Sequence, residues 1–505
     1  MQQLELEKWR IQLDISTFQV YLAPISRLPT EILTEIFLIH CEAAKGYTTS
    51  VTSGVWPLTY VSREWRSLAL SLPVLWSDIT IGVIENPAKN QLALLNTALT
   101  RSGSQPLTIH AFFSWATGSE DDINGFGMYE FEVPQTKSKI PPWPSEKQLS
   151  EAMVKAIVPH SNRWKTAEIE VLYNLSRLLV PIHGRLDSLE KLVFSGDVDD
   201  HPHIFNIAPR LRDIQFGNTP SDPFLIPWKQ LTRFHESQWN PTFDPLPRFI
   251  GILLRNPQLE DFGVSYQGGR SRGDWHLTHS NLKALSCSDE RLIRYLTLPK
   301  LEKLHLQAVF MNKCPPGMVP AFRDLLTRSG CASNMRVLRL QDVVLNHEIF
   351  NLLKVTPNLA ELNFTFARWV TTYEGFMKEL VQRMSNWGKR KEKQGKPVLI
   401  PKLELFTIDI EAINSFEWFK CDIRFIDKTF VDMVEGRRRK HGDGNGVSKI
   451  RVVKFEGYTP ATLSAFTSDE VERMKKMRDE RLDTYIATMD VNSEDDDRRE
   501  KVFVK

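Results

Sequence analysis

The sequence predicts an α/β chain in which a small all-α unit of two or three short helices is followed by an irregular solenoid of parallel strands and helices. Three observations predict it. Apolar residues fall at helical spacing as far as Trp76, a Leu-x-x-Leu-x-Leu pattern recurs from Leu189 to Phe455, and helical stretches such as Phe249 to Arg255 and Glu348 to Val355 separate its copies. At 505 residues the chain also exceeds the roughly 250 to 300 residues that one hydrophobic core supports, so it must split or elongate.

The first element is an amphipathic helix within residues 1–23, where Leu6, Trp9, Leu13 and Val20 share one stripe. Pro24 ends it. From Leu28 to His40, Pro29 suits a first helical turn and Glu31 favours the positive end of the helix dipole. Leu33, Ile36 and Phe37 then fall at spacings of three and four. After a polar stretch from Gly46 to Gly54, Leu58, Val61, Trp65 and Leu68 repeat at helical spacing, and Leu72-Pro73-Val74-Leu75-Trp76 closes the unit. So few positions cannot hide so many large apolar side chains, and an exposed apolar ridge or groove is expected.

Leu28-Pro29-x-Glu31-Ile32-Leu33-x-x-Ile36-Phe37, then Val61-Ser62-Arg63-x-Trp65-Arg66-x-Leu68-Ala69 and Leu75-Trp76, resemble the F-box in its fungal form, over residues 24–81. That resemblance implies a trihelical fold that binds a Skp-type adaptor and through it a cullin-RING ubiquitin ligase. It implies that Leu28, Pro29, Ile32, Leu33, Ile36, Phe37, Val61 and Trp65 contact the adaptor or form the core that shapes the contact. The stretch from Cys41 to Trp56 is longer and more polar than the family's usual connection, which leaves the helix geometry there open. A plain helical hairpin would show the same apolar periodicity.

A helix, a strand and a long loop are expected across residues 82–165. There Leu99-Thr100-Arg101-Ser102-Gly103 is repeated word for word at Leu326-Thr327-Arg328-Ser329-Gly330, each time after a helical pattern and before a strand-like run. Over residues 166–460 the triplets are Leu189/Leu192/Phe194, Leu211/Ile214/Phe216, Leu259/Phe262/Val264, Leu282/Leu285/Cys287, Leu301/Leu304/Leu306, Met335/Leu338/Leu340 and Leu359/Leu362/Phe364. More divergent copies are Leu403/Phe406/Ile408 and Ile450/Val453/Phe455. The last two members of each alternate with a polar residue, as in a strand with one buried face. This body resembles a leucine-rich repeat array, more loosely than the first resemblance. The Asn that regular repeats place after the strand is replaced by Asp197, Thr219, Val309 and Val343. A non-repetitive α/β domain would carry the same triplets.

In a stacked array the outward residues of adjacent strands form one surface that commonly takes protein partners. Here it would present Lys303, His305, Gln307, Arg339, Gln341, Glu361 and Asn363, of mixed sign, which suits a target protein over a polyanion. The charged segment 461–505 is expected to be a tail with some helix, largely solvated and frayed.

Other function classes find little support. With 64 Lys and Arg against 62 Asp and Glu, the net charge of +2 gives no field to concentrate nucleic acid. No apolar run approaches the roughly 18 residues of a membrane span, and no secretion signal stands at the start. Five cysteines without a Cys-x-x-Cys pair suit a reducing cytoplasmic or nuclear setting. The crowding of Asp197, Asp199, Asp200, His201 and His203 is read as a polar loop, and the basic runs Lys389 to Lys393 and Arg437 to Lys440 as exposed insertions that could alternatively serve nuclear import or phosphate contact. No motif of nucleotide binding, nucleophilic catalysis or metalloprotease chemistry appears. No cofactor is implied. The expectation is a non-enzymatic substrate-recognition subunit of a Skp-cullin-F-box ligase, with a scaffold that transfers no ubiquitin as the alternative.

Overall fold

A computed structural model describes residues 7–11, 25, 28–44, 46–82, 90–113, 144–171, 173–196, 202–238, 241–267, 269, 273, 275–309, 314–385, 398–410, 421–439, 447–489 and 500–504. The chain divides into two compact units. The first comprises Met1–Gly118, Thr136–Leu211 and Pro223–Pro227, and the second Ser119–Gln135, Arg212–Asp222 and Trp228–Lys505. Both are α/β with parallel strands.

In the first unit, residues 7–11 are helical, with Trp9 exposed. The other members of that predicted stripe lie outside the described residues. Helices α1 (Thr30–Ala43), α2 (Leu58–Val61) and α3 (Arg63–Ser71) lead through a 3-10 turn at Pro73–Trp76 to strand β1 (Asp78–Gly82). Then come α4 (Gln91–Arg101), β2 (Leu107–Phe112), α5 (Pro144–Ile157), β3 (Trp164–Val171), α6 (Tyr173–Ser176) and β4 (Lys191–Gly196). The periodicity from Leu58 to Leu68 does not form one helix. Ser62 is extended (φ −152°), and its side chain accepts a bond from Trp65 N at 3.1 Å, so the chain stops at Val61 and restarts under a serine cap.

β1, β2, β3 and β4 pair in sequence order, all parallel. Parallel strands therefore begin at Asp78, ahead of the span from residue 166 where the triplets place them. The early strands bury Ile79 and Ile81, Ile109 and Ala111, Ala167 and Ile169. Gly103 (φ +55°) follows α4, and its counterpart Gly330 (φ +64°) follows the helix Met318–Ser329, so the repeated five residues are a shared left-handed helix exit.

The second unit runs β5 (Asp213–Gly217), β6 (Arg233–Gln238), α7 (Leu246–Arg255), β7 (Asp261–Tyr266), β8 (Leu277–Thr278), β9 (Ala284–Cys287), α8 (Glu290–Tyr295), β10 (Leu296–Thr297), β11 (Lys303–Leu306), α9 (Met318–Ser329) and β12 (Val337–Gln341). It continues with α10 (His347–Val355), β13 (Glu361–Phe366), α11 (Tyr373–Ser385), β14 (Leu405–Ile410), β15 (Cys421–Asp422), α12 (Lys428–Arg439), β16 (Val452–Thr462), α13 (Ser468–Asp479), β17 (Asp483–Met489) and β18 (Glu500–Val504). Strands β5, β6, β7, β9, β11, β12, β13, β14, β16 and β17 are successive parallel neighbours. β18 closes the edge antiparallel, and β8 pairs with β10 apart from this sheet.

The register aligns Leu304, Leu338, Leu362, Phe406 and Val453 in one row and Leu306, Leu340, Phe364, Ile408 and Phe455 in another. Both rows are buried. Helices bring apolar stripes to the same core; on α7 this is Leu246, Phe249, Ile250 and Leu253, and the Phe249 ring meets Phe262 of β7 at 6.2 Å between centroids. A short repeated unit stacking side by side in sequence order is compatible with a solenoid-like fold.

The expectation of a frayed charged tail is corrected. α13 opens on a capping box between Thr467 and Glu470, buries Met474 and Met477, and delivers β17, whose Ile486 is fully buried. The acidic run Glu494 to Asp497 lies outside the described residues. No helix among the described residues is long and apolar enough to cross a membrane.

Candidate protein-docking surfaces

α1 has two faces. Phe37 is fully buried, and its ring meets that of Trp65 on α3 at 4.8 Å between centroids. Leu33 and Trp65 are half-buried beside this contact. On the other face, Ile32 is 48% and Ile39 64% exposed, with half-buried Ile36 between them at helical spacing. At the end of α2, Tyr60 is 61% and Val61 60% exposed. Leu28 is half-buried and Pro29 exposed at the helix entry, where Pro29 is the cap. Sequence reasoning thus grouped two kinds of residue. Phe37 and Trp65 build the core, while Pro29, Ile32 and Val61 face solvent. It missed Ile39 and Tyr60, although Ile39 continues the spacing of Ile32 and Ile36.

The polar stretch whose length left the helix geometry open has a definite place. Thr48 N donates to Thr80 O at 2.8 Å, and Thr80 N donates to Thr48 Oγ1 at 2.9 Å, which pairs the stretch with the outer edge of β1. Trp56 Nε1 donates to Thr48 O at 2.8 Å, and the Trp56 ring meets Trp76 edge-on at 5.0 Å. Trp76 is itself buried and donates to Ala69 O at 2.8 Å. Hydrogen bonds and packed indoles therefore join the helices to the first strand, without a free linker.

The second surface is the polar side of β11, β12 and β13. Register puts Lys303 beside Val337 and Glu361, His305 beside Arg339 and Asn363, and Gln341 beside Thr365. Arg339 donates twice to Glu361 Oε1, at 3.0 and 2.9 Å. Asn363 Nδ2 reaches Thr407 Oγ1 at 2.5 Å and Asp409 at 2.9 Å on the next strand. Burial, then the nearby charges of Arg339 and His235, pulls the His305 imidazole down to about 4, so it is neutral at physiological pH. Gln307 lies past the strand end, with its amide 3.5 Å from Val264 O.

The row extends further than the sequence indicated. Arg233 sits between Asp213 at 3.1 Å and Asp261 at 2.8 Å, and His235 lies 2.9 Å from Asp261. Gly263 makes this possible, since a Cβ there would stand 2.7 Å from the His235 ring. The strand that carries Arg233 and His235 escaped the triplet search because Glu236 occupies an otherwise apolar position.

The chain matches no family model and no curated protein.

Remaining sequence motifs resolve as follows. Arg437 and Arg438 are buried within α12 and are not an exposed insertion. The Arg437 guanidinium donates to the carbonyls of Met384, Leu399 and Ile400, which leaves it unable to contact a phosphate. Lys440, the run Lys389 to Lys393, and Asp197, Asp199, Asp200 and His201 lie outside the described residues. His203 meets the His183 ring at 6.5 Å. Among the described residues no group of three or more His, Cys, Asp or Glu is placed to hold a metal ion. Burial pushes the Cys41 thiol up to about 11 and the Cys314 thiol to about 12, so neither is a thiolate at neutral pH.

Proposed function

We propose that this chain is an F-box protein with a leucine-rich repeat-like body, acting as the substrate-recognition subunit of a Skp-cullin-F-box ubiquitin ligase. The carrying observation is the row of exposed Ile32 and Ile39 with half-buried Ile36 on α1, together with exposed Tyr60 and Val61 at the end of α2, while Phe37 and Trp65 pack against each other on the inner side. Large apolar side chains fixed in water gain about 1.5 to 3 kcal/mol each when a partner covers them. An adaptor helix laid on the stripe supplies that cover. The polar face from Lys303 to Asn363, hydrogen-bonded within itself, then receives a target protein. Catalysis in this scheme is positional and the bond-making chemistry belongs to other chains.

Co-precipitation with a Skp-type adaptor tests the reading. The wild-type chain is expected to capture the adaptor, and Ile32→Glu with Val61→Glu, or Leu28→Ala with Pro29→Ala, to lose it while melting at an unchanged temperature. Phe37→Ala would lose capture through unfolding, at about 3 to 5 kcal/mol. Equal capture by the surface variants, or none by the wild type, would sink the proposal. Adaptor capture with no ubiquitylated client in cells would point to a scaffold role.

A further inference from the structure

In the first unit four arginines lie in succession with a neutral histidine, His160, whose imidazole burial and two of these arginines hold below its ordinary pKa. The Arg101 guanidinium lies 4.6 Å from the centroid of the Trp76 ring and 5.8 Å from that of Trp56. Its electrostatic neighbour Arg66, on α3, donates to Thr59 O at 2.8 Å and covers the Tyr60 ring. One residue past Arg101, the buried Ser102 hydroxyl accepts a bond from Arg163 Nη2 at 3.0 Å. Arg163 and Arg185 both act on His160, and Arg185 donates to the Pro159 carbonyl at 2.8 Å. Among the described residues none of these five groups is in an ion pair. In the second unit Arg233, Arg248, Arg291, Arg323, Arg339 and Arg473 sit on carboxylates, while Arg328 and Arg336 donate to backbone carbonyls.

We propose that Arg66, Arg101, Arg163 and Arg185, with His160, form a docking stripe for an Asp- or Glu-rich segment of a protein partner. A guanidinium fork matches a carboxylate through two parallel bonds, and each of these forks is already pinned by an aromatic ring, a hydroxyl or a carbonyl, which lowers the entropy lost on binding. The cations are spread over α3, the end of α4 and the turns around Arg163 and Arg185. Spaced carboxylates fit that distribution better than one phosphate. Nucleic acid fits less well, since the Trp56 and Trp76 rings are buried and faced by Arg101, and the exposed Tyr60 ring is covered by Arg66. The stripe stands whether or not the Ile32 face takes a Skp-type adaptor.

Fluorescence anisotropy of the full chain with a fluorescein-labelled polyglutamate peptide tests this. Binding is expected to weaken steeply with salt, and by about tenfold or more in Arg163→Glu with Arg185→Glu. Arg163 touches Ser102, so if the double variant melts early, Arg185→Glu alone decides. That side chain is exposed, and its reversal should still cost about threefold. Unchanged polyglutamate affinity in the folded variant, no binding by the wild type, or tighter binding of an oligothymidylate of equal length would overturn the proposal.

Discussion

Arg248 grips Glu236 at two points inside the second unit, with Nη1 2.9 Å from Oε2 and Nη2 bonded to Oε1. The Glu236 side chain has no solvent exposure, and it also accepts bonds from Ser221 N at 3.3 Å and Gln238 Nε2 at 2.5 Å. Arg248 additionally reaches Asp222 at 3.0 Å and lies on the Phe249 ring at 4.4 Å. Removing the cation strands a buried carboxylate. Arg248→Met is expected to cost about 3 to 5 kcal/mol, whereas Glu236→Leu with Arg248→Met recovers most of it. A double-mutant cycle by urea denaturation measures the coupling, and additive losses would contradict it.

That pair also marks the limit of what the sequence discloses. The triplets from Leu189 to Phe455 were legible because each puts two buried apolar residues at period two, and all their members are buried. Leu231, Phe234 and Glu236 make the same strand with an acid at one buried site, and only tertiary contact with Arg248 reveals its partner. β1 and β3 are headed by Trp76 and Trp164 where the pattern looks for leucine. α13 was hidden by its charges, since Met474 and Met477 are few among Glu and Lys. On α1 the F-box resemblance supplied Ile32, while spacing grouped Leu33 and Ile36 with Phe37. Spacing could not separate the buried Phe37 from that half-buried pair, because three- and four-residue steps leave two assignments of the inward face.

His305 gives the chain an acid-sensitive component. Burial, Arg339 and His235 set its folded value at about 4, against 6.5 for a free imidazole, while a bond with Gln341 works the other way. Between those values the unfolded chain binds a proton that the folded chain refuses, so stability is complete above about 6.5 and falls as pH drops towards 4. His305→Gln should flatten that fall. Urea midpoints of both proteins at about pH 7 and about pH 4.5 compare the slopes, and identical slopes would contradict the assignment.

Thr48→Val tests the joint between the helices and β1. The substitution keeps the shape of the side chain but deletes the oxygen that accepts from Thr80 N at 2.9 Å. The buried amide then loses its partner, at about 1 to 2 kcal/mol. Hydrogen exchange at Thr80 should accelerate in the variant while exchange at Leu304 and Leu338, deep in the second unit, stays the same. Acceleration everywhere would mean general destabilisation, and none at Thr80 would mean that Thr48 is dispensable there.

Arg437 decides between two accounts of the basic run. If the run served phosphate contact, neutralising it would change anion binding and leave stability alone. Its guanidinium instead donates to Leu399 O at 3.0 Å, Ile400 O at 3.2 Å and Met384 O at 3.4 Å, and burial brings its pKa down to about 9, still cationic at neutral pH. Met384 lies in the last turn of α11, whose carbonyls have no partner within the helix, and Ile400 holds φ at +45°, a strained conformation for a β-branched residue. One side chain thus satisfies a helix end and a strained turn together. Arg437→Lys keeps the charge but loses the planar fork, and is expected to cost about 2 kcal/mol; Arg437→Met leaves the carbonyls unpaired and should cost about 3 kcal/mol or more. Thermal melts with parallel heparin-column retention separate the accounts, and a variant that melts like wild type yet leaves heparin early would restore the phosphate-contact reading.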